Sequence, residues 1–314
     1  MRSDDSDRSF ADPLPQLLSL KSPEDGLVVA HHGVAVEVLF GDGARRQVRV
    51  KRRSGHVVGD RLVVRGDTLE RLPRRTELRR RDGRGRVHLV GANLDVIAVV
   101  VASQPAPTTG FIDRAIVAAR GAGLRPFVIV NKGDLDGAAL LATELRSTYA
   151  PADVPVFLTN AVGRKGLGVL AEFFAEGHCG AFIGTSGVGK STLLNALCDA
   201  DRVRVGEVNE RTGHGLHTTT VATLHHLAGG GALIDTPGFR DFGLVDLAAP
   251  DLAPHFPGFE ATVGSICRFR DCRHRSEPGC AVKALVEEGA ISEERWQAYR
   301  QLASELEAAA AQRG

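Results

Sequence analysis

Four stretches of this chain hold residue types whose spacing can do chemistry. Gly184-Thr185-Ser186-Gly187-Val188-Gly189-Lys190-Ser191 fits G-x-x-x-x-G-K-[ST]. Glycines let backbone N–H groups wrap an anion, and a helix that follows adds the partial positive charge of its N-terminus. The apolar run Gly180 to Ile183 reads as the strand before the loop, and Thr192 to Leu197 reads as the helix after it. In that frame Lys190 reaches the β- and γ-phosphates of a nucleotide, and the Ser191 hydroxyl is a ligand for Mg²⁺.

Downstream, Ile234-Asp235-Thr236-Pro237-Gly238 ends another apolar strand. Asp235 is placed to hold Mg²⁺, through water, and Gly238 offers an N–H to the γ-phosphate. Gly215-Leu216-His217-Thr218-Thr219-Thr220 lies between the two motifs. A threonine hydroxyl there can join the Mg²⁺ shell only while the γ-phosphate is present, which makes a switch. Thr219 is the choice, and the spacing leaves Thr218 and Thr220 open.

Asn131-Lys132-Gly133-Asp134 follows the apolar run Phe127 to Val130. An N-K-x-D at a strand end suits a guanine ring. The Asp134 carboxylate accepts from N1–H and the exocyclic amine, Lys132 lays its stem over the base, and Asn131 supports the loop and can donate to the ring. Leu158-Thr159-Asn160-Ala161 resembles a loop that contacts guanine through its backbone, with Asn160 and Ala161 as candidates. Both base-reading pieces precede the phosphate loop, whereas an ordinary G protein has them after it. The order is base, base, phosphate, switch, metal. An α/β domain tolerates such a recut when its original termini lie close together.

The fourth cluster is Cys267-x4-Cys272-x-His274-x5-Cys280. Three thiolates and an imidazole suit tetrahedral Zn²⁺ in a closed structural site with no position left for catalysis. Arg268, Arg270, Arg273 and Arg275 interleave with these ligands, so the knuckle suits contact with phosphate.

The elements that position these residues follow from periodicity. Gly26 to about Arg86 reads as short strands at 26–30, 34–39, 46–50 and 61–64, separated by glycine turns. About five strands in sixty residues suit the oligonucleotide/oligosaccharide-binding (OB) barrel. From Gly91 strands alternate with helices in the manner of a doubly wound sheet: strands at 94–101, 126–130, 154–158, 180–183 and 232–234, and a helix at 111–120. The tail ends in a helix from about Ser292 with Trp296, Tyr299, Leu302 and Leu306 on one stripe. The expected units are a disordered leader at 1–25, the barrel at 26–88, the G domain at 89–247 and the zinc-binding domain at 248–314.

Composition narrows the function classes. The longest apolar run, Val96 to Ala102, is too short to span a bilayer, and the start of the chain lacks the pattern of a signal peptide. Five cysteines, three of them clustered, are not a disulfide framework, and a reducing cytoplasm is expected. Net charge is only +1, yet Arg45 to Arg86 holds sixteen Lys and Arg against five Asp and Glu. A basic block on an otherwise acidic chain points to nucleic acid as partner.

Taken together, these motifs resemble the ribosome small-subunit-dependent GTPase A family, bacterial circularly permuted GTPases. Gly91-Ala92-Asn93-Leu94-Asp95, Gly215-x-His217-Thr-Thr-Thr, Asp235-Thr-Pro-Gly-Phe239 and Cys267-Arg-Phe-Arg-Asp-Cys272-Arg-His274 carry the likeness. The resemblance implies a circularly permuted α/β P-loop GTPase domain between an N-terminal OB barrel and a C-terminal zinc-binding helical module. It implies GTP/GDP, Mg²⁺ and one structural Zn²⁺ as cofactors, and late maturation of the small ribosomal subunit as the role, with rRNA touching the barrel and the zinc module. It also implies that Phe239 stands where Ras-like proteins carry glutamine, so that His217 is the candidate to orient water. Thr159-Asn160-Ala161 departs from the usual Ser-Ala, and Thr185 replaces a frequent glutamine. A monomer working away from membranes is expected. The basic barrel by itself fits two further readings: an RNA assembly factor in which GTP is mainly structural, and a GTPase serving another RNA such as tRNA.

Overall fold

The computed structural model describes residues 20–51, 53–66, 68–81, 86–199, 222–227, 230–235, 244–245, 247–259 and 267–311. His217, Thr218, Thr219, Thr220, Gly238 and Phe239 lie outside the described residues, as does most of the expected leader.

The chain begins with five antiparallel strands: β1 (Asp25–His31), β2 (Ala35–Phe40), β3 (Arg45–Arg49), β4 (Arg61–Arg65) and β5 (Thr68–Arg71). Their order is β3-β2-β1-β4-β5. Bringing β3 against β5 would close the row into an OB barrel. No β3–β5 ladder forms among the described residues, so the barrel is open at that seam. Burial in β2 alternates strictly, which turns Val36, Val38 and Phe40 inward onto Val28 and Leu62. A hairpin of β6 (Glu77–Arg81) and β7 (Val87–Ala92) then leads toward the G domain. The sequence hid it, because the run Arg79 to Arg81 masks a strand whose inward residue, Leu78, is fully buried.

The junction is tied by polar groups. Asp60, fully buried, accepts from Arg74 Nε at 2.6 Å and Nη2 at 2.9 Å, and Arg74 also reaches Glu77 at 3.0 Å. Arg74 therefore belongs to the framework, not to the outward basic face. Asn93, at φ 58°, donates to the Gly59 carbonyl at 2.8 Å and accepts from the Arg75 N–H at 2.9 Å. Two residues on, Asp95 holds His178 Nδ1 at 2.6 Å and the Cys179 N–H at 2.8 Å.

The G domain alternates strand and helix: β8 (Val96–Ala102), α1 (Phe111–Gly121), β9 (Arg125–Asn131), α2 (Ala138–Tyr149), β10 (Val156–Leu158), α3 (Leu167–Ala175), β11 (Cys179–Ile183), α4 (Lys190–Asp199), β12 (Thr223–His226) and β13 (Ala232–Asp235). β10 is two residues shorter than expected, since a 3-10 turn at Ala150–Ala152 precedes it and Val154 N–H turns back to Tyr149. The sheet order is β10-β9-β8-β11-β13-β12, parallel except for β12. Counted from β11, the strand of the phosphate loop, the order reads 2-3-1-4-5-6. The sheet is thus that of a G domain whose chain has been recut.

β8 is buried along its whole length because both faces are covered. Ile97, Val99 and Val101 face one core with α1, and Val96, Ala98 and Val100 face the other with α3 and α4. α1 is itself buried on nearly all sides, since the tail packs over it. That tail holds α5 (Ala281–Glu287) and α6 (Glu293–Ala311). Tyr299, Leu302 and Leu306 of α6 are buried in this shared core, as the expected stripe requires, with Trp296 packed at its margin. Each such side chain contributes about 1.5–3 kcal/mol by leaving water. Arg295 adds a polar clamp, donating to both oxygens of Asp113 on α1 at 3.1 and 2.8 Å.

Candidate nucleotide site and metal cluster

Parallel pairing puts the ends of β8, β9, β10, β11 and β13 on one edge of the sheet, where α/β folds bind ligands. The phosphate-loop residues follow β11 there. Gly184 has no room for a side chain: a Cβ would lie 2.3 Å from the Val100 carbonyl oxygen. Gly189 sits at φ +93°, and a Cβ there would meet Asn131 Nδ2 at 2.5 Å. Both glycines let the loop close down on the neighbouring strands. Lys190 Nζ donates to the carbonyls of Gly184 at 2.7 Å and Thr185 at 3.0 Å, so its ammonium lies across the loop itself. Ser186 and Gly187 are exposed at the rim, and Val188 is buried beneath it. Ser191 and Thr192 are exposed in the first turn of α4. A glycine-rich loop, the N-terminus of α4 and the Lys190 ammonium are the chemistry that a polyphosphate requires.

Asp235 ends β13 beside them. The pairing of Ala181 with Ile234 sets Asp235 level with Phe182, just before the phosphate loop. On its other side Asp235 pairs with Thr223 of β12.

The base-reading pieces close the edge. Asn131, 2% exposed, donates from Nδ2 to the Val188 carbonyl at 3.0 Å. Its Oδ1 accepts from Thr159 Oγ1 and from the Ala161 N–H, each at 3.2 Å. One side chain thus ties the loops after β9 and β10 to the phosphate loop. Lys132, at φ 58°, stretches its ammonium to the Gln104 carbonyl at 3.0 Å. Asp134 is exposed and makes no ion pair with a described residue. Asn160 closes its own turn, exchanging backbone hydrogen bonds with Lys165 and accepting from Gly163 N–H at 2.8 Å. The sequence reading missed Thr159 as the partner of Asn131 and Gln104 as the partner of Lys132. A threonine one place before the candidate pair was the only trace of the first, and a backbone carbonyl leaves no trace in sequence.

A family profile described as RsgA GTPase matches residues 71–245. The chain belongs to the RsgA GTPase family. Among curated members it is 43% identical to the small ribosomal subunit biogenesis GTPase RsgA of Azotobacter vinelandii, over 90% of this chain and 86% of that protein. Identity to the protein of the same description from Pseudomonas savastanoi pv. phaseolicola is 42%, with the same coverage. Among solved structures, YjeQ from Thermotoga maritima superposes with a TM-score of 0.71 at 31% identity, covering 90% of this chain and 98% of that one. YloQ, described as a circularly permuted GTPase, superposes at 0.68 with 25% identity, covering 92% and 97%. The recut order read from the motifs is therefore a property of the family's fold.

The cysteine cluster lies in the tail of this family member. One ligand atom from each of Cys267, Cys272, His274 and Cys280 falls within 4.8 Å of the others. His274 Nδ1 stands 3.5 Å from Cys267 Sγ and 3.6 Å from Cys280 Sγ. A tetrahedral ion with bonds of about 2.3 Å to sulfur and 2.0 Å to nitrogen sets those edges at about 3.5 Å. The donor set therefore fits a metal ion. Burial pushes the Cys272 thiol up to about 12, and the neighbouring Cys280 and Cys267 sulfurs push the same way against a backbone hydrogen bond at His274. Burial lowers His274, which favours the neutral imidazole that ligates metals. His274 is held at φ 57°, with its carbonyl accepting from Trp296 Nε1 at 2.7 Å. Glu277 shapes the same turn. Burial acts to raise its carboxyl, but the N–H groups of Arg273, Arg275 and Ser276 outweigh that and hold it at about 2. Arg273 and Arg275 pair with Glu307 at 3.1 and 2.8 Å, whereas Arg268 and Arg270 are exposed.

Proposed function

We propose that this chain hydrolyses GTP to GDP and phosphate as a switch stimulated by the small ribosomal subunit during its late maturation. The observation that carries this reading is the tie from Asn131 to Val188, which makes the guanine reader and the phosphate loop one site. Membership of a family whose curated members are small-subunit biogenesis GTPases supplies the partner.

The residues divide the work. Asp134 reads the guanine edge, the Lys132 stem covers the base, and the loop Thr159 to Ala161, held through Asn131, frames it. Gly184 to Gly189 wrap the phosphates with N–H groups while Lys190 meets their charge. Ser191, Asp235 and Thr219 form the side of the site that holds Mg²⁺, and Gly238 donates to the γ-phosphate. Mg²⁺, when bound, neutralises charge that builds on the β- and γ-oxygens. His217 orients the attacking water, since Phe239 offers no hydrogen bond. The metal of the tail cluster is structural Zn²⁺, because three thiolates and an imidazole leave no open position. The rRNA meets the basic barrel and the zinc module. The protein acts in the cytoplasm, as a monomer; among the described residues no helix is long and apolar enough to cross a membrane.

GTP turnover measured with and without purified small subunits tests the proposal. Strong stimulation by the subunit, with ATP inert, is the expected result. Turnover that the subunit leaves unchanged would overturn the switch and favour a structural role for GTP.

A further inference from the structure

β1 belongs to two structures at once. Val28 packs in the barrel core with Val36, Val38 and Phe40. Its neighbours Leu27 and Val29 belong to the G-domain core that includes Leu224 of β12 and Ile234 of β13. The strand also changes partner along its length. Asp25 to Leu27 pair with β4, whereas Ala30 pairs antiparallel with Thr223 of β12. A register shift between Val28 and Ala30 marks the change, and such bulges re-aim a strand.

Thr223 pairs in turn with Asp235 on β13. One row therefore runs Ala30, Thr223, Asp235, from the barrel to the residue assigned to Mg²⁺. In sequence, Ala222 stands two places after Thr220, the last of the switch threonines. Among the described residues the backbone junction is the Ala30–Thr223 pair and a hydrogen bond from the His31 N–H to the Ala222 carbonyl at 3.4 Å, beside the packing of Leu27 and Val29 with Leu224. The Asp60–Arg74 pair and Asn93 hold the barrel elsewhere, so the barrel stays attached when this ladder opens.

We propose that β1 is a positioning element for the switch strand β12, so that occupancy of the barrel and the nucleotide state are coupled through the His31–Ala222 and Ala30–Thr223 pairings. This rests on the assignment of Asp235 to Mg²⁺ and of the barrel to RNA. Seating β12 on β1 fixes the strand that follows the threonines in sequence and pairs with Asp235 on β13. By reciprocity, a γ-phosphate that holds β12 steadies β1 by the same factor.

Hydrogen exchange of the β1 amides tests this, in the full chain with GDP and with a non-hydrolysable GTP analogue. His31→Pro deletes the one N–H that β1 donates to Ala222, and His31→Ala keeps it. The expected result is exchange slowed about tenfold by the GTP analogue in wild type and His31→Ala, within the range of ordinary allosteric couplings, and a ratio near unity in His31→Pro. A ratio near unity in wild type, or one unchanged by His31→Pro, overturns the coupling. The wild-type comparison decides alone if His31→Pro does not fold. GDP and GTP titrations of the same samples read the functional assignment separately: nucleotide that binds tightly and leaves β1 exchange unchanged defeats the coupling and spares the GTPase.

Discussion

The side-chain amide of Asn131 donates to the carbonyl of Val188, 57 residues further along the chain, at 3.0 Å. Its oxygen takes the Thr159 hydroxyl and the Ala161 N–H at the same time. The N-K-x-D loop and the G-x-x-x-x-G-K-S loop are therefore tied directly to each other. They are held in one geometry by a single buried amide.

Asn131→Ala should weaken GDP and GTP together. It orphans one carbonyl, one N–H and one hydroxyl in a buried place, at about 1–3 kcal/mol for each group left unsatisfied. Calorimetric titration should show at least a tenfold loss for both nucleotides. Loss confined to GTP would place Asn131 outside this role.

Asp134→Asn should change the base, not the fold. The amide can donate to the 2-oxo group of xanthine where the carboxylate accepted from guanine. Competition binding should show guanine nucleotides weakened and xanthine nucleotides gaining. Wild-type protein that binds ATP as well as GTP would sink the assignment.

Protein purified without chelators should carry one zinc ion per chain, measured by elemental analysis. Cys272→Ala should lose it and expose the segment around residues 267–280 to protease, while GDP binding persists. The tail cysteines pack on the core opposite α4, so GDP binding is expected to survive, and zinc retained in the variant would contradict the cluster.

The barrel's exposed arginines should set the salt dependence of RNA binding. Arg46→Gln with Arg49→Gln should reduce the slope of log affinity against log salt by about one for each phosphate no longer neutralised. Arg74→Gln should instead destabilise the fold, because its guanidinium is committed to buried Asp60. An unchanged slope in the double variant would make that face merely solvated.

Asp113→Ala should unseat the tail. It takes the carboxylate from Arg295, whose side chain is 15% exposed and keeps only the Pro257 carbonyl and the face of Phe256 at 4.8 Å, and it takes the acceptor from the Tyr149 hydroxyl. Breaking a buried pair from one side costs about 3–5 kcal/mol. Urea denaturation should show that loss, with zinc still bound. A loss under 1 kcal/mol, roughly the worth of a surface pair, would mean the clamp is idle.

Motif chemistry and periodicity were legible in the residues alone. G-x-x-x-x-G-K-S, N-K-x-D and the cysteine spacing each specify a local geometry over a few residues, and β8 is buried on both faces just where the apolar run Val96 to Ala102 had no polar alternation. What the sequence could not state were the bonds between distant segments. Those from Asn131 to Val188 and from Lys132 to Gln104 end on backbone carbonyls, which every residue carries, so no residue type announces them. Arg74 read as one more cation of a basic block until the fold brought it to buried Asp60 at 2.6 Å. The pairing of β1 with β12 joins Ala30 to Thr223 across most of the chain, and only the closing of the sheet decides which strand edges meet. Local propensity fixes what a segment is, while burial and strand pairing fix what it faces.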